Sequence, residues 1–142
     1  PVVIRNPKST RPWQHVLEPL SGYLILAQKL YKDQKKYAEG WNFGPNEKDV
    51  KPVDWILDKM ILKWPDASWK LDQNSSPHEA GFLKLDISKA ESRLGWKPVW
   101  ELSYTLEKII AWHKAWLNKE DMQATCLTEI EEYMKDMNNE NH

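Results

Sequence analysis

Apolar residues recur at intervals of three and four over four stretches of the chain, which is the spacing of an amphipathic helix. In the first stretch the repeat runs through Leu17, Leu20, Leu24, Ala27 and Tyr31. The pattern predicts four helices, over residues 18–31, 52–64, 103–118 and 121–137. Because these segments cover roughly half of the chain, we expect more helix than the third that is usual for soluble domains.

A fifth, shorter helix is indicated by signals at its two ends. Ser88 is followed three residues later by Glu91, the capping-box pattern in which a serine side chain bonds a free N–H group of the first helical turn. Gly95 stands where helices commonly end in the left-handed conformation. We therefore expect a helix over residues 88–94 with Ser88 as its N-cap.

Short runs of β-branched or alternating apolar residues predict the strands. Residues 2–4 are such a run, and Pro12 disfavours helical geometry at Arg11, so that a second extended segment is expected over residues 11–16. Further strands are predicted over residues 41–43, 67–71 and 82–85. The expected fold class is mixed α/β, mostly helical with several short strands.

For the last two predicted helices the pattern indicates which side chains are buried and which lie outside. On the helix over residues 103–118 the side chains expected to be buried are Leu106, Ile109, Ile110, His113, Trp116 and Leu117, with His113 as a packing residue. On the last helix the stripe is Leu127, Ile130, Met134 and Met137, and the residues expected outside are Glu129, Glu131, Glu132 and Asp136. Such a stripe usually docks against the same chain or a second subunit.

Size, charge and cysteine content narrow the class of protein. The 142 residues are enough for one ordinary domain. A formal charge of −1 provides no positive field for nucleic acid or for an anionic membrane. The single cysteine, Cys126, excludes an internal disulfide, and no apolar stretch approaches the ~20 residues that a membrane-spanning helix needs. We expect a soluble, cytoplasmic protein.

The start of the chain suggests a larger parent protein. The sequence opens without a methionine and inside a predicted strand. Separated from a larger sheet, the strand over residues 41–43 would have exposed edges. We therefore expect self-association, and a homo-oligomer, for this chain.

The first candidate site lies where the second predicted strand runs into the first helix. Arg11, Trp13, Gln14 and His15 would bring a guanidinium, an indole, an amide and an imidazole together at this junction. The alternative is that these four residues form no ligand site and are only packed or solvated.

A second candidate site is the polar loop over residues 72–81. His78 and Glu79 could bind a ligand there, or they could be solvated loop residues. The sequence has no G-x-G-x-x-G, P-loop, nucleophile elbow or H-E-x-x-H motif, and its four histidines lack metal-ligand spacing. No catalytic or metal-binding residue is therefore predicted, and a complete active site is not encoded.

Four segments carry a resemblance to a known family. They are Arg11-Pro12-Trp13-Gln14-His15-Val16, Trp41-Asn42-Phe43-Gly44-Pro45, Leu83-Lys84-Leu85-Asp86 followed by Ser88-Lys89-Ala90, and Leu94-Gly95-Trp96-Lys97-Pro98. In this order they resemble the C-terminal half of the extended short-chain dehydrogenase/reductases that act on nucleotide sugars, the NAD-dependent epimerases and dehydratases. The fuller run over residues 4–23, with His78-Glu79-Ala80, resembles the branch that dehydrates CDP-glucose.

The resemblance implies that the parent is a lyase of deoxysugar biosynthesis for lipopolysaccharide O-antigen. Such a lyase uses tightly held NAD to oxidise the sugar at C4, eliminate water across C5 and C6, and return the hydride to C6. In that family the glycine-rich NAD loop and the catalytic Tyr-x-x-x-Lys pair lie in the N-terminal half, and neither is recognised here, since Tyr31 with Lys35 is a charged helix end.

The resemblance also implies a division of the chain and a set of site residues. Residues 1–118 would be the nucleotide-sugar-binding region and residues 119–142 a C-terminal helix with a frayed tail, with the NAD-binding domain absent and no turnover by the chain alone. Arg11 would pair with the diphosphate, which suits its planar fork of donors. The substrate-binding residues that the matching positions imply are Asn6, Arg11, Trp13, Gln14, His78 and Glu79.

The expected ligand is a CDP-sugar, and two alternatives remain open. The chain could be part of another epimerase or dehydratase of nucleoside-diphosphate sugars, which differs only in chemistry. It could instead be a helical, non-enzymatic module whose tryptophan-rich and apolar surfaces pack on a partner protein.

Overall fold

Helices dominate the computed structural model, which describes residues 1–64, 66–73 and 81–139. The strands are β1 (Val2–Ile4), β2 (Thr10–Arg11), β3 (Lys51–Pro52) and β4 (Trp69–Leu71). The helices are α1 (Leu17–Lys32), α2 (Gln34–Tyr37), α3 (Val53–Lys63), α4 (Ser88–Leu94), α5 (Leu102–Leu117) and α6 (Met122–Asn139). More than half of the described residues are helical, so the predicted fold class is confirmed.

The four strands form two separate pairs. β1 and β4 are parallel, with Val2 opposite Trp69. β2 and β3 are antiparallel, with Arg11 opposite Lys51. Backbone bonds then attach the turn between β1 and β2 to the start of α3, because Val53 donates to the carbonyl of Ser9 at 3.1 Å. This places the predicted Arg11 junction beside β3 and α3.

Two apolar clusters form the core. The first lies between α1, α2 and α4 and consists of Tyr37, Phe43, Ala90, Leu94 and Trp96. The second lies between α3 and α5 and consists of Ile56, Leu102 and Leu106, with Trp13, Trp55 and Met60 packed against it. The Arg11 junction is therefore in contact with the second cluster through the Trp13 ring.

The two ends of α4 differ in how well they were predicted. Gly95 is left-handed, with φ at 72°, and Trp96 donates to the carbonyl of Ala90 at 3.3 Å, so the predicted stop is confirmed. Ser88 is not the N-cap: it is the first helical residue, and its N–H donates to the Asp86 carboxylate at 2.9 Å. Hydrogen bonds from the side chain and the N–H of Ser88 lower the pKa of Asp86.

Three predicted strands are wrong in whole or in part. Only the first residue of the 11–16 segment is in a strand, residues 41–43 are in none, and Phe82 makes a single bridge with Thr10. A strand exists only where a second strand bonds its backbone. The carbonyl of Phe43 is instead bonded by a side chain, that of Gln14, at 2.9 Å.

α6 turns three of its acidic residues, Glu129, Glu132 and Asp136, towards the rest of the chain, opposite to the prediction, whereas Glu131 is exposed as predicted. Glu132 bonds Tyr104 and Lys108 of α5, and Asp136 accepts from the Trp100 indole at 2.9 Å. The carboxylates face inwards because the neighbouring elements present hydrogen-bond donors. The apolar side chains that α6 leaves more than a third exposed are Leu127, Ile130 and Met134.

Apolar side chains are exposed on α1 and α5 as well. α1 buries Glu18 and Gly22, whereas Tyr31 from its predicted stripe is 92% exposed. On α5 the exposed residues that were expected to be buried are Ile109, His113, Trp116 and Leu117. Despite this apolar surface, no described helix combines the length and hydropathy of a membrane span.

Gly22 is required by the close approach of α1 to Phe43. A β-carbon at position 22 would lie 2.3 Å from the Phe43 ring, which is itself held by an edge contact with Trp96. We expect Gly22→Ala to lower the free energy of unfolding by about 1–3 kcal/mol, because the overpacking outweighs the gain in helix propensity. Urea unfolding measures this, with Gly40→Ala as control because nothing lies within 4 Å of a β-carbon there. Equal stability of the two variants would contradict the explanation.

Residues 41–43 should promote self-association. No strand pairs with them in the described part of the chain, and since the Phe43 carbonyl is already bonded by Gln14, a second copy would bond the remaining backbone groups of this segment. We expect light scattering to detect species larger than one chain as the concentration rises. A single monomeric mass at the highest concentration reached would rule this out.

Candidate functional site

The side chains of the predicted junction reach three different backbone carbonyls. Arg11 Nη1 donates to its neighbour Thr10 at 2.9 Å. The Trp13 indole donates to Lys51 at 2.9 Å. Gln14 Nε2 donates to Phe43 at 2.9 Å. Each of these three side chains therefore makes a hydrogen bond within the chain, whether or not a ligand is bound.

Asn6 lies at the other end of the same turn. Its carbonyl accepts from Ser9 at 3.1 Å, and the carbonyl of Pro7 accepts from Asp54 at 2.9 Å. Lys8 and Asp54 form an ion pair at 2.5 Å that lowers the pKa of Asp54 and raises that of Lys8. The turn that connects Asn6 to the junction is thus held at the start of α3.

The remaining predicted site residues, His78 and Glu79, lie outside the described residues. Gln14 has a feature that packing does not explain: its Oε1 is buried and no donor among the described residues reaches it. Buried acceptors are normally satisfied. A ligand donor is one group that could satisfy this oxygen.

Behind the junction lies a buried carboxylate, that of Glu18. It is fully buried and accepts hydrogen bonds from the N–H of Trp100 at 2.7 Å, the N–H of Val99 at 3.0 Å and the Tyr133 hydroxyl at 2.7 Å. Burying a carboxylate is costly unless several donors compensate for the lost water. Glu18 therefore ties α1, the connector before α5, and α6 together.

Aromatic contacts connect the surroundings of Glu18 to the junction. The Trp100 ring makes edge contacts with His15 at 4.9 Å and with Tyr133 at 5.0 Å between ring centroids. The Trp96 indole donates to the Ser21 hydroxyl at 2.9 Å, and that hydroxyl is 3.1 Å from the Tyr133 hydroxyl. The junction, α1 and α6 consequently share one packed network.

His15 is the junction residue that enters this network most deeply. It is 3% exposed, and its Nδ1 accepts the N–H of Leu17 at 3.3 Å. Its Nε2 lies 3.8 Å from Glu129. Burial, and then the charge of Lys108, lower the pKa of His15, while burial raises that of Glu129. The ring is therefore neutral, with its proton on Nε2, because Nδ1 is an acceptor.

Two pairs in the chain have the Tyr-x-x-x-Lys spacing. Tyr31 is at the exposed end of α1, and Lys35 is in α2. The second pair, Tyr104 and Lys108, was not identified from the sequence, and both side chains bond the same carboxylate of Glu132. This bond raises the pKa of Tyr104, which is the opposite of what a tyrosine base needs. The second pair is an attachment between α5 and α6.

Glu18 and Tyr133 were also missed by the sequence analysis. An acidic residue in the first turn of a helix is ordinary, because it complements the helix dipole, so the position of Glu18 conceals its burial. Tyr133 lies among charged residues of α6, next to the predicted stripe. No spacing in the sequence connects the two, which are 115 residues apart.

Removing the Tyr133 hydroxyl should destabilise the fold measurably. Tyr133→Phe keeps the ring on Trp100 but leaves the buried Glu18 carboxylate with one donor fewer. We expect the free energy of unfolding to fall by about 1–3 kcal/mol. Denaturant unfolding with Tyr31→Phe as the matched control, whose ring is 92% exposed, provides the comparison. An unchanged Tyr133→Phe would show that the network does not stabilise the chain.

Comparison with known proteins relates this chain to a named enzyme. No protein-family model matches the chain. CDP-glucose 4,6-dehydratase from Salmonella typhimurium is 58% identical to it over 134 residues, which are 94% of this chain and 37% of that relative. The chain thus spans little more than a third of the relative's length. The predicted resemblance is confirmed: over nearly its whole length this chain is similar to a part of a CDP-glucose 4,6-dehydratase.

Proposed function

We propose that the chain is the nucleotide-sugar-binding, C-terminal part of a CDP-glucose 4,6-dehydratase. The parent enzyme would be a lyase that converts CDP-glucose to CDP-4-dehydro-6-deoxyglucose and water, in the cytoplasm, for O-antigen deoxysugars. The observation that carries this proposal is the 58% identity to the Salmonella enzyme over 134 residues, which are 94% of this chain. The chain alone would bind substrate without turning it over.

NAD would be bound by residues outside this chain. The cofactor supplies hydride removal and return, and its glycine-rich loop has no counterpart in the sequence. The contribution of the chain would be to bind and orient the CDP-sugar against that cofactor.

The exposed apolar side chains of α1 and α6 support the proposal of a longer protein. Leu20 and Leu24 on α1 are 44% and 68% exposed, and Leu127 and Met134 on α6 are 53% and 52% exposed. Ser21 and Tyr133 bring the two helices into contact. Large exposed apolar patches usually mark an interface. We propose that the remainder of the longer protein packs here.

Within the site, Arg11 would bind the diphosphate of the nucleotide sugar with two parallel N–H donors. The buried Oε1 of Gln14, which no donor among the described residues reaches, supports a ligand at the same junction. The full set proposed to contact the CDP-sugar is Asn6, Arg11, Trp13, Gln14, His78 and Glu79.

The exposed stripe of α6 favours a second candidate function, a helical module that packs on a partner protein. Adding CDP-glucose to the chain separates the two candidates. A change in tryptophan fluorescence that is lost in Trp13→Phe, together with a higher Tm, supports nucleotide-sugar binding. A folded chain that does not respond favours the interaction module.

Arg11→Ala should weaken substrate binding by the full-length enzyme. The substitution removes a charge-assisted contact worth about 1.5–3 kcal/mol, so the affinity for CDP-glucose should fall by about one to two orders of magnitude. NAD content should not change, because the cofactor would be held elsewhere. Titration calorimetry and cofactor analysis of the purified enzyme measure both quantities.

Two further variants test the reason for this loss. Arg11→Lys should recover only part of the affinity, because an ammonium group lacks the planar fork. Arg93→Ala, which removes an arginine bonded to the carbonyl of Lys36 and to Glu39, should bind normally. If Arg11→Ala lowers Tm and leaves affinity unchanged, Arg11 only packs and the diphosphate assignment is wrong.

A further inference from the structure

We propose that His15 is a positioning residue for the nucleotide-sugar site: its neutral ring bonds the start of α1 and so fixes the segment that carries Arg11, Trp13 and Gln14. The inference rests on the proposed function, since it needs a nucleotide sugar to bind at this junction. It adds a residue that does not touch the ligand and predicts that binding depends on pH.

The first step is the geometry at the start of α1. The N–H groups of a first helical turn have no partner within the helix. His15 satisfies two of them: Leu17 donates to the imidazole Nδ1 at 3.3 Å, and Glu18 donates to the His15 carbonyl at 3.1 Å. The cap residue itself, Val16, offers no side-chain acceptor. The ring therefore does at this helix what a serine or aspartate usually does.

The second step is that burial and ring contacts hold the His15 ring in place. It is 3% exposed and contacts the edge of the Trp100 ring, whose own indole donates to Asp136. The two residues before it are tied as well, since Trp13 and Gln14 bond the carbonyls of Lys51 and Phe43. The junction is thus attached at three consecutive residues, and His15 is the attachment that sets where α1 begins.

The third step is what protonation would do. A proton on Nδ1 would turn the acceptor into a donor that faces the N–H of Leu17, at the positive end of the helix dipole. The charged groups that face the ring from other elements are Glu129 of α6 and Lys108 of α5. Lys108 is paired with Glu132, so Glu129, at 3.8 Å, is the group that would attract an imidazolium.

Protonation should therefore weaken the bond to α1 and draw the ring towards α6. The lowered pKa of His15 agrees with this, because it shows that the fold favours the neutral ring. The sign follows directly: the unfolded histidine, with a pKa of about 6.5, takes up its proton before the folded one. The stability that this bond contributes is fully present above about pH 6.5 and is lost as the pH falls from there through the lower pKa of the folded histidine.

Variants at position 15 separate the bond from the charge. Asparagine places an oxygen close to the position of Nδ1 and does not titrate, so His15→Asn should keep much of the bond and lose the pH dependence. His15→Leu has no acceptor and should bind poorly at every pH. His113→Asn is the matched control, because His113 is exposed and packs between Trp64 and Trp116, away from the junction.

The experiment is calorimetric titration of CDP-glucose into the 142-residue chain at about pH 7.5 and about pH 5.5, with circular dichroism to check folding. CDP-glucose is the probe because its diphosphate does not titrate in this range. A capping bond of about 1 kcal/mol corresponds to about fivefold in affinity. We expect the wild type and His113→Asn to bind more weakly at the lower pH, by up to about fivefold as the folded ring becomes protonated, His15→Asn to bind equally at both, and folded His15→Leu to bind weakly at both.

The outcomes distinguish this inference from the proposed function. No binding by the wild type at the higher pH overturns the proposed function, and the inference with it. Wild-type binding with the same pH dependence in His15→Asn overturns the inference alone. Wild-type affinity in a folded His15→Leu does the same. If His15→Leu does not fold, the comparison of His15→Asn with His113→Asn still decides.

Discussion

The buried carboxylate of Glu18 determines how the main parts of this chain meet. A carboxylate with no access to water needs several hydrogen-bond donors, and these come from residues 99–100 and from Tyr133. The three segments are far apart in sequence, so their donors reach Glu18 in one mutual arrangement. The position of α6 against α1, and of the connector before α5, follows from that requirement.

The candidate site depends on the same arrangement through its neighbours. His15 lies three residues before Glu18 and contacts Trp100, whose N–H bonds the Glu18 carboxylate. Trp13 and Gln14 then reach the carbonyls of Lys51 and Phe43. The side chains that suit ligand recognition thus also donate hydrogen bonds to backbone carbonyls of the chain. Arg11, Trp13, Gln14 and His15 each have a hydrogen-bond partner within the fold.

The distribution of apolar surface separates two kinds of contact. The interior side of α6 is polar because α5 and Trp100 offer donors, while its outer side carries the stripe of Leu127, Ile130 and Met134. α1 likewise buries Glu18 and exposes Leu20 and Leu24. On α6 the apolar stripe points away from the described chain, whereas α1 exposes Leu20 and Leu24 and packs Ile25, Leu26 and Leu30 against the first core cluster. The exposed apolar side chains of both helices remain available to another surface.

The sequence by itself determined five of the six described α-helices, all except α2, because the spacing of apolar residues, Gly95 and the prolines act locally on the backbone. The bounds of α1, α3, α5 and α6 were predicted to within about two residues. It also determined the resemblance, since a run such as residues 11–16 is carried by residue identity and order alone.

Only the tertiary structure decided which side of each helix is buried and which extended segments become strands. Both depend on partners that no local pattern specifies: a second backbone for residues 41–43, and donors on α5 for Glu132. The same holds for Glu18 and Tyr133, whose contact spans 115 residues. Burial of a charged group is favourable only where distant segments supply the hydrogen bonds that water would otherwise provide.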